Sequence, residues 1–166
     1  MILTTILMTD ILYEILPADR PALKQILESS GFFYDFEVDV ALSLADETFE
    51  KGEEGSGYYW VKLVEDGKVI GFANFGLNPS SVHSYDLYWV AVLEEYRQKH
   101  YGSLILRKSE DRIKELGGKI VWIETSGRPL YEPTRYFYIK NGYELEGTLR
   151  DFYGPGDAKL VYRKVL

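Results

Sequence analysis

Apolar positions along this chain repeat in two rhythms, alternate residues in short β-branched and aromatic runs and every third or fourth residue in longer ones. Met1 to Met8 is apolar and β-branched, and fits an extra edge strand, a leader or a partner-binding arm. Ile11 to Leu16 predicts a first strand. Pro17 and Asp19 suit a helix start, and Leu23, Ile26 and Leu27 follow at helical spacing before Gly31 stops the run. Glu37 to Lys51 predicts a second helix burying Val38, Ala41, Leu42, Ala45 and Phe49. The acidic stretch Gly52-Glu53-Glu54-Gly55-Ser56-Gly57 reads as a loop, because its glycines do not sit between a strand and a helix as a phosphate fingerprint requires. Tyr58 to Val64 and Lys68 to Leu77 flank Asp66-Gly67, the strongest short hairpin signal, and predict an antiparallel pair.

A strand over Asp86 to Val92 then empties into a charged turn, Arg97 to Ser103, and a helix to about Leu116 with Leu104, Ile105, Ile113 and Leu116 inward. Gly117-Gly118 ends that helix. Lys119 to Glu124 predicts a buried strand, Pro133 to Asn141 a helix stopped by Gly142, and Tyr143 to Phe152 with Lys159 to Val165 two closing strands around Gly154-Pro155-Gly156-Asp157. The order is β-α-α-β-β-β-α-β-α-β-β, an α/β (mixed α+β) class in one domain over residues 10–166, with residues 1–9 unassigned. A central mixed, mostly antiparallel sheet with helices on both faces is expected, and the strands flanking the long helix should run parallel, since a helical crossover joins parallel neighbours.

Composition narrows the chemistry. The 166 residues are 46% hydrophobic and 15% aromatic, enough for a packed core. A net charge of −7 argues against nucleic-acid partners, whose phosphates demand Lys and Arg, and favours cationic ones. The absence of cysteine excludes disulfides, thiolate metal sites and a Cys nucleophile; two histidines, His83 and His100, are too few for a His-rich metal site, so no metal is expected. The N-terminal run is too short and too interrupted to cross a membrane, which takes about 20 apolar residues, and a cytoplasmic protein is expected.

The strand-turn-helix from Ser84 to Leu106 is where an anion can be held. The first-turn amides of a helix lack internal partners, and the helix dipole adds partial positive charge. Here the residues resemble a known family. Arg97-Gln98-Lys99-His100-Tyr101-Gly102-Ser103, entered from Trp89-Val90-Ala91-Val92, is similar to the acyl-CoA-binding motif of the GCN5-related N-acetyltransferase (GNAT) superfamily, with His100 at the motif's first glycine. Thr134 to Tyr143 is similar to that family's second signature, a helix carrying Phe-Tyr before an Asn-Gly-aromatic stop.

The resemblance implies an N-acetyltransferase that moves an acetyl group from acetyl-CoA to a primary amine by direct attack in a ternary complex. The turn from Arg97 through Gln98, Lys99, His100, Tyr101, Gly102 and Ser103 would bind the coenzyme A pyrophosphate, with Val90 and Val92 beside the rest of the coenzyme and the Val90 amide polarising the thioester. On the preceding strand, Asp86, Tyr88, Val90 and Val92 share one face. Asp86 occupies a base position, Glu124 at the end of the neighbouring strand is its rival, and Tyr138 would protonate or hydrogen-bond the departing thiolate. Bland alternatives stand beside each: a solvated strand-edge carboxylate for Asp86 and Glu124, and a core tyrosine with a satisfied hydroxyl for Tyr138. Lys140 and Arg135 read either as holders of the adenosine phosphates or, by default, as solvated helix charges, and Tyr136 and Tyr143 as packing residues. Tyr131-Glu132-Pro133 and Asp151 to Gly154 are expected to border the acceptor pocket. The acceptor is a small-molecule or peptide amine. A non-catalytic acyl-CoA-binding or sensing module is the alternative, and the apolar first residues offer a contact for a homo-oligomer.

Overall fold

The structure is a computed structural model that describes residues 8–166. Its elements are β1 (Thr9–Leu12), α1 (Arg20–Ser29), α2 (Asp35–Ser56), β2 (Tyr59–Glu65), β3 (Lys68–Leu77), β4 (Ser84–Val92), α3 (Tyr101–Glu115), β5 (Ile120–Ser126), α4 (Glu132–Lys140), β6 (Glu144–Gly154) and β7 (Asp157–Val165). The element order is the expected one, as a seven-stranded mixed sheet ordered β1-β2-β3-β4-β5-β7-β6. β4 and β5, joined through α3, run parallel, whereas β1–β2, β5–β7 and β6–β7 are antiparallel. The reading of Met1 to Met8 as an arm or edge strand lies almost wholly outside the described residues. No described helix is long and apolar enough to cross a membrane.

The described chain packs as two compact units, residues 8–74 with 89–108 and residues 75–88 with 109–166. In the first, α1 and α2 present Leu23, Ile26, Leu27, Val38, Ala41, Leu42 and Ala45 to a core completed by Trp60 and Phe72. The Trp60 indole N–H is satisfied by the Thr48 hydroxyl at 3.0 Å, so this large ring buries without a stranded donor. α2 runs further than its apolar stripe predicts, to Ser56, across a break at Gly52, where φ is 72° and ψ 172°. The acidic glycine loop is thus a separate last turn. β1 is shorter and earlier than Ile11 to Leu16, because its ladder with β2 runs only from Thr9 opposite Glu65 to Leu12 opposite Lys62; Pro17 then opens a 3-10 turn.

The second unit is built on β5, β7 and the end of α3. Val121, Ile123, Ile113 and Tyr143 are almost fully buried, and the Glu110 carboxylate accepts from the Tyr143 hydroxyl at 3.0 Å and from Lys164 at 2.8 and 2.9 Å. Gly118 follows the helix stop because only hydrogen fits: a Cβ there would run into Ile113 and stand 2.7 Å from the Tyr85 ring. Of the inward residues expected on α3, Ile105 and Ile113 are buried, whereas Leu104 and Leu116 are half-buried and Leu106 takes a fully buried place.

Candidate functional site

In the first unit, the turn after β4 has a backbone that few side chains accept. Gln98 and His100 both adopt positive φ, 65° and 61°, and α3 begins at Tyr101 with the Leu104 amide donating to the His100 carbonyl at 3.1 Å. The amides of Lys99 to Ser103 meet no acceptor among the described residues, which is the condition for holding an anion at a helix start. Histidine tolerates the left-handed region better than most residues, so His100 takes the conformation its side chain makes costly. Tyr101 fastens the start of α3 by donating its hydroxyl to the buried Glu65 carboxylate, which pushes the phenol's own titration upward. Arg97 is held on Glu94 at 2.9 Å, and Lys99 lies 5.0 Å from the centre of the Tyr96 ring.

In the second unit, strand alternation on β4 resolves as predicted: Tyr85 and Leu87 are buried while Asp86 is half-buried on the opposite face. Asp86 lines an open pocket of about 370 Å³ together with Asn78, Ser81, Ser84, Trp122, Glu124 and Val161. Asn78 donates its side-chain amide to Asp86 Oδ2 at 2.8 Å. Burial pushes the Asp86 carboxyl above the usual carboxylate range; the Asn78 hydrogen bond pulls it back, and the charge of Glu124 adds to the rise. Glu124 is exposed and paired at 2.8 Å with Lys159, whose ammonium also sits 3.9 Å from the centre of the Phe152 ring. One carboxylate of the pocket is therefore paired with a cation, and the other is braced by a neutral amide.

Tyr138 comes from α4. Its ring packs edge-on to Phe137 and Tyr143, at centroid distances of 5.3 and 5.8 Å, and tilted against Tyr162 at 6.4 Å. Although the residue is buried, its hydroxyl makes no hydrogen bond among the described residues. Burial alone raises its titration, which keeps the phenol protonated. The tyrosine with a satisfied hydroxyl is Tyr143, five residues on.

A model of the acetyltransferase (GNAT) family matches residues 12–143. The chain belongs to that family. It is 26% identical over 129 residues to the [ribosomal protein bS18]-alanine N-acetyltransferase of Haemophilus influenzae, covering 76% of this chain and 84% of the relative. A crystal structure of a GNAT-family protein from Desulfovibrio desulfuricans matches with a TM-score of 0.92 and 35% identity, over 95% of this chain and 99% of that one. The PaiA N-acetyltransferase of Thermoplasma acidophilum, solved in complex with coenzyme A, shares the fold at a TM-score of 0.74 and 16% identity, over 96% and 99% of the two chains. The protein is accordingly an acyltransferase of the GNAT type.

Within that GNAT frame, several expectations need correcting. The pocket around Asp86 is lined from the β3–β4 connection, β4, β5 and β7, and Phe152 of the expected Asp151 to Gly154 border lies against Lys159, the partner of Glu124. Arg135 is not a solvated charge, since its guanidinium donates to the Ser126 and Arg128 carbonyls at 3.0 and 2.8 Å and pins the loop before α4. Tyr136 is 66% exposed and packs little. Asn78, Ser81 and Lys159 were invisible to sequence reasoning: Asn78 and Ser81 lie in a Pro- and Ser-containing connection that reads as a loop, and Lys159 alternates normally in a strand. The Asn-Pro-Ser-Ser string signals a turn, and no spacing rule carries it to Asp86.

Proposed function

We propose that this GNAT protein transfers an acetyl group from acetyl-CoA to the primary amine of a small molecule or peptide, by direct attack without an acyl-enzyme. The observation that carries the reading is the acid-lined pocket, in which Asp86 faces an opening large enough for an amine and has no cation paired to it among the described contacts. The relatives in hand include an N-acetyltransferase of a protein alanine and one solved with coenzyme A, which supports an amine acceptor and this donor.

The free amides of Lys99 to Ser103, with Arg97 nearby in the chain, fit a pyrophosphate, and the donor supplies an acetyl group activated as a thioester. An acceptor amine with a reference value of about 10 arrives charged and cannot attack until a proton leaves. Asp86 binds that ammonium and accepts its proton; a carboxyl whose titration is raised by burial is a better base than a solvated one. Val90, on the same face of β4, offers its N–H to the carbonyl oxygen as charge gathers there. As the new C–N bond forms and the C–S bond breaks, the Tyr138 hydroxyl gives its proton to the sulfur and is restored by the proton the nitrogen still has to lose. Glu124, already paired with Lys159, serves as a second negative charge at the rim rather than as the base.

The test is a thiol-release assay with acetyl-CoA and a panel of alanyl peptides, lysyl peptides, aminoglycosides and polyamines. Amine-dependent release that collapses in both Asp86→Asn and Tyr138→Phe is the expected result. Full activity in both variants would remove these assignments, and calorimetric binding of coenzyme A without turnover on any amine would favour a sensing role.

A further inference from the structure

All four polar groups of Asn78 are committed. Its backbone N–H donates to the Ser84 carbonyl at 2.9 Å, and its backbone carbonyl accepts from the Ser81 N–H at 2.9 Å. Its side-chain oxygen Oδ1 accepts the Ser80 N–H at 2.9 Å, and Nδ2 donates to Asp86 Oδ2 at 2.8 Å. The Ser80 bond settles which end of the amide is which. A backbone N–H can only donate, so the group facing it must be the oxygen, and the –NH₂ is left aimed at Asp86. Ser81 stiffens the same connection by accepting the His83 and Ser84 amides on its hydroxyl at 3.3 and 3.0 Å.

We infer that Asn78 is a positioning residue of the transfer site: it occupies Oδ2 of Asp86, leaves Oδ1 to meet the acceptor ammonium, and favours the ionised carboxylate. The inference rests on the reading of Asp86 as the base. An amide that can only donate in this direction requires an acceptor opposite it, and a protonated Oδ2 would meet it hydrogen to hydrogen. The groups acting on Asp86 are few. Glu124 on β5 opposes ionisation, Lys159 on β7 is spent on Glu124, and among the described residues Asn78 supplies the hydrogen bond given to the carboxylate. Trp122, level with Asp86 in the parallel β4–β5 register, and Val161 give the pocket apolar wall and no charge. Without Asn78, burial and Glu124 would both drive Asp86 towards its neutral form.

The deciding measurement is the titration of the Asp86 side-chain carboxyl carbon by NMR in the wild-type protein, Asn78→Ala and Asn78→Asp. The Asp variant keeps an oxygen for the Ser80 N–H, so it preserves the turn while replacing a donor by a like charge. The midpoint should rise in both variants, by about one pH unit or more in Asn78→Asp, where the two carboxyls titrate as a pair. An Asp86 midpoint unmoved in both variants overturns the inference. The acid limb of the kcat/KM profile, with acetyl-CoA and the best amine of the panel, should climb by the same amount. A loss of activity equal at every pH, with no change in the carbon titration, assigns Asn78 a merely structural part and also overturns it. If the carbon titration climbs and the kinetic limb stays in place, Asn78 does favour the ionised carboxylate but Asp86 is not the base, and the positioning role at the transfer site falls with that reading.

Discussion

The turn after β4 and the pocket around Asp86 offer polar groups of different kinds. From Lys99 to Ser103 the groups on offer are backbone amides, in a turn whose path passes through positive φ at Gln98 and His100, and the side chains matter mainly for whether they permit that path. Around Asp86 the groups on offer are side chains, each with a specific partner: Asn78 on Asp86, Lys159 on Glu124. A backbone site tolerates replacement wherever the conformation survives, which is how His100 can stand where a glycine is usual. A side-chain site tolerates almost none, and its properties are set by particular neighbours, Asn78 eight residues from Asp86 and Lys159 thirty-five from Glu124.

That contrast can be broken at four points. The largest effect belongs to Tyr138→Phe: steady-state kinetics should show kcat reduced about 10²-fold, with thermal melting unmoved because the hydroxyl that is lost bonds nothing among the described residues. A destabilised protein with normal kcat would reverse the assignment. Asp86→Asn should cost a comparable or somewhat smaller factor, again about 10²-fold, and remove the acid limb of kcat/KM. The sign follows from the wild type. Asp86 must be ionised to take a proton, and burial raises its titration, so the rate should climb with pH through a midpoint above the ordinary carboxylate range.

Tyr143→Phe is the counterpart of the first variant. It strips the hydroxyl that Glu110 accepts, so denaturant melts should register a loss of about 1–3 kcal/mol while kcat stays within twofold. Equal behaviour of the two tyrosines would erase the distinction between the satisfied and the free hydroxyl. The smallest effects are at the turn. His100→Val, a β-branched residue forced to positive φ at a cost of about 1–2 kcal/mol, should weaken calorimetric coenzyme A binding roughly tenfold, whereas His100→Gly should leave it within about twofold. Tight binding by the valine variant would mean that the backbone path is not what grips the phosphates.

The same contrast explains what could be read from the chain. The Asp66-Gly67 hairpin, the helix stops at Gly117 and Gly142 and the parallel β4–β5 pair were all legible, because local conformational preference or a short connection dictates them. The turn at Arg97 to Ser103 was legible for that reason too. The last turn of α2 beyond Gly52 was not, since its capping depends on contacts such as the Glu53 carboxylate accepting the Trp60 N–H at 3.4 Å, and an acidic Gly-rich string has no apolar rhythm to show it. Asp86 could be placed on the correct face of its strand by alternation, but its bracing by Asn78 depends on how the β3–β4 connection folds back over eight residues, and the capture of Glu124 by Lys159 depends on sheet register across 35 residues of sequence. The family signature set Tyr138 apart from Tyr143 in the sequence, but only packing shows that the Tyr143 hydroxyl is bonded to Glu110.

Asn78 has one more consequence, for how the protein ages. An asparagine loses its amide spontaneously when the backbone nitrogen of the following residue attacks the side-chain carbonyl and closes a cyclic imide. The residue after Asn78 is Pro79, whose nitrogen has no hydrogen to give up, so that route to an aspartate beside Asp86 is closed. Asn141 is followed by Gly142, the least hindered neighbour there is, and its carbonyl is held by Lys164 at 2.9 Å. Stored protein should therefore gain negative charge first at the end of α4, while the amide facing Asp86 stays intact.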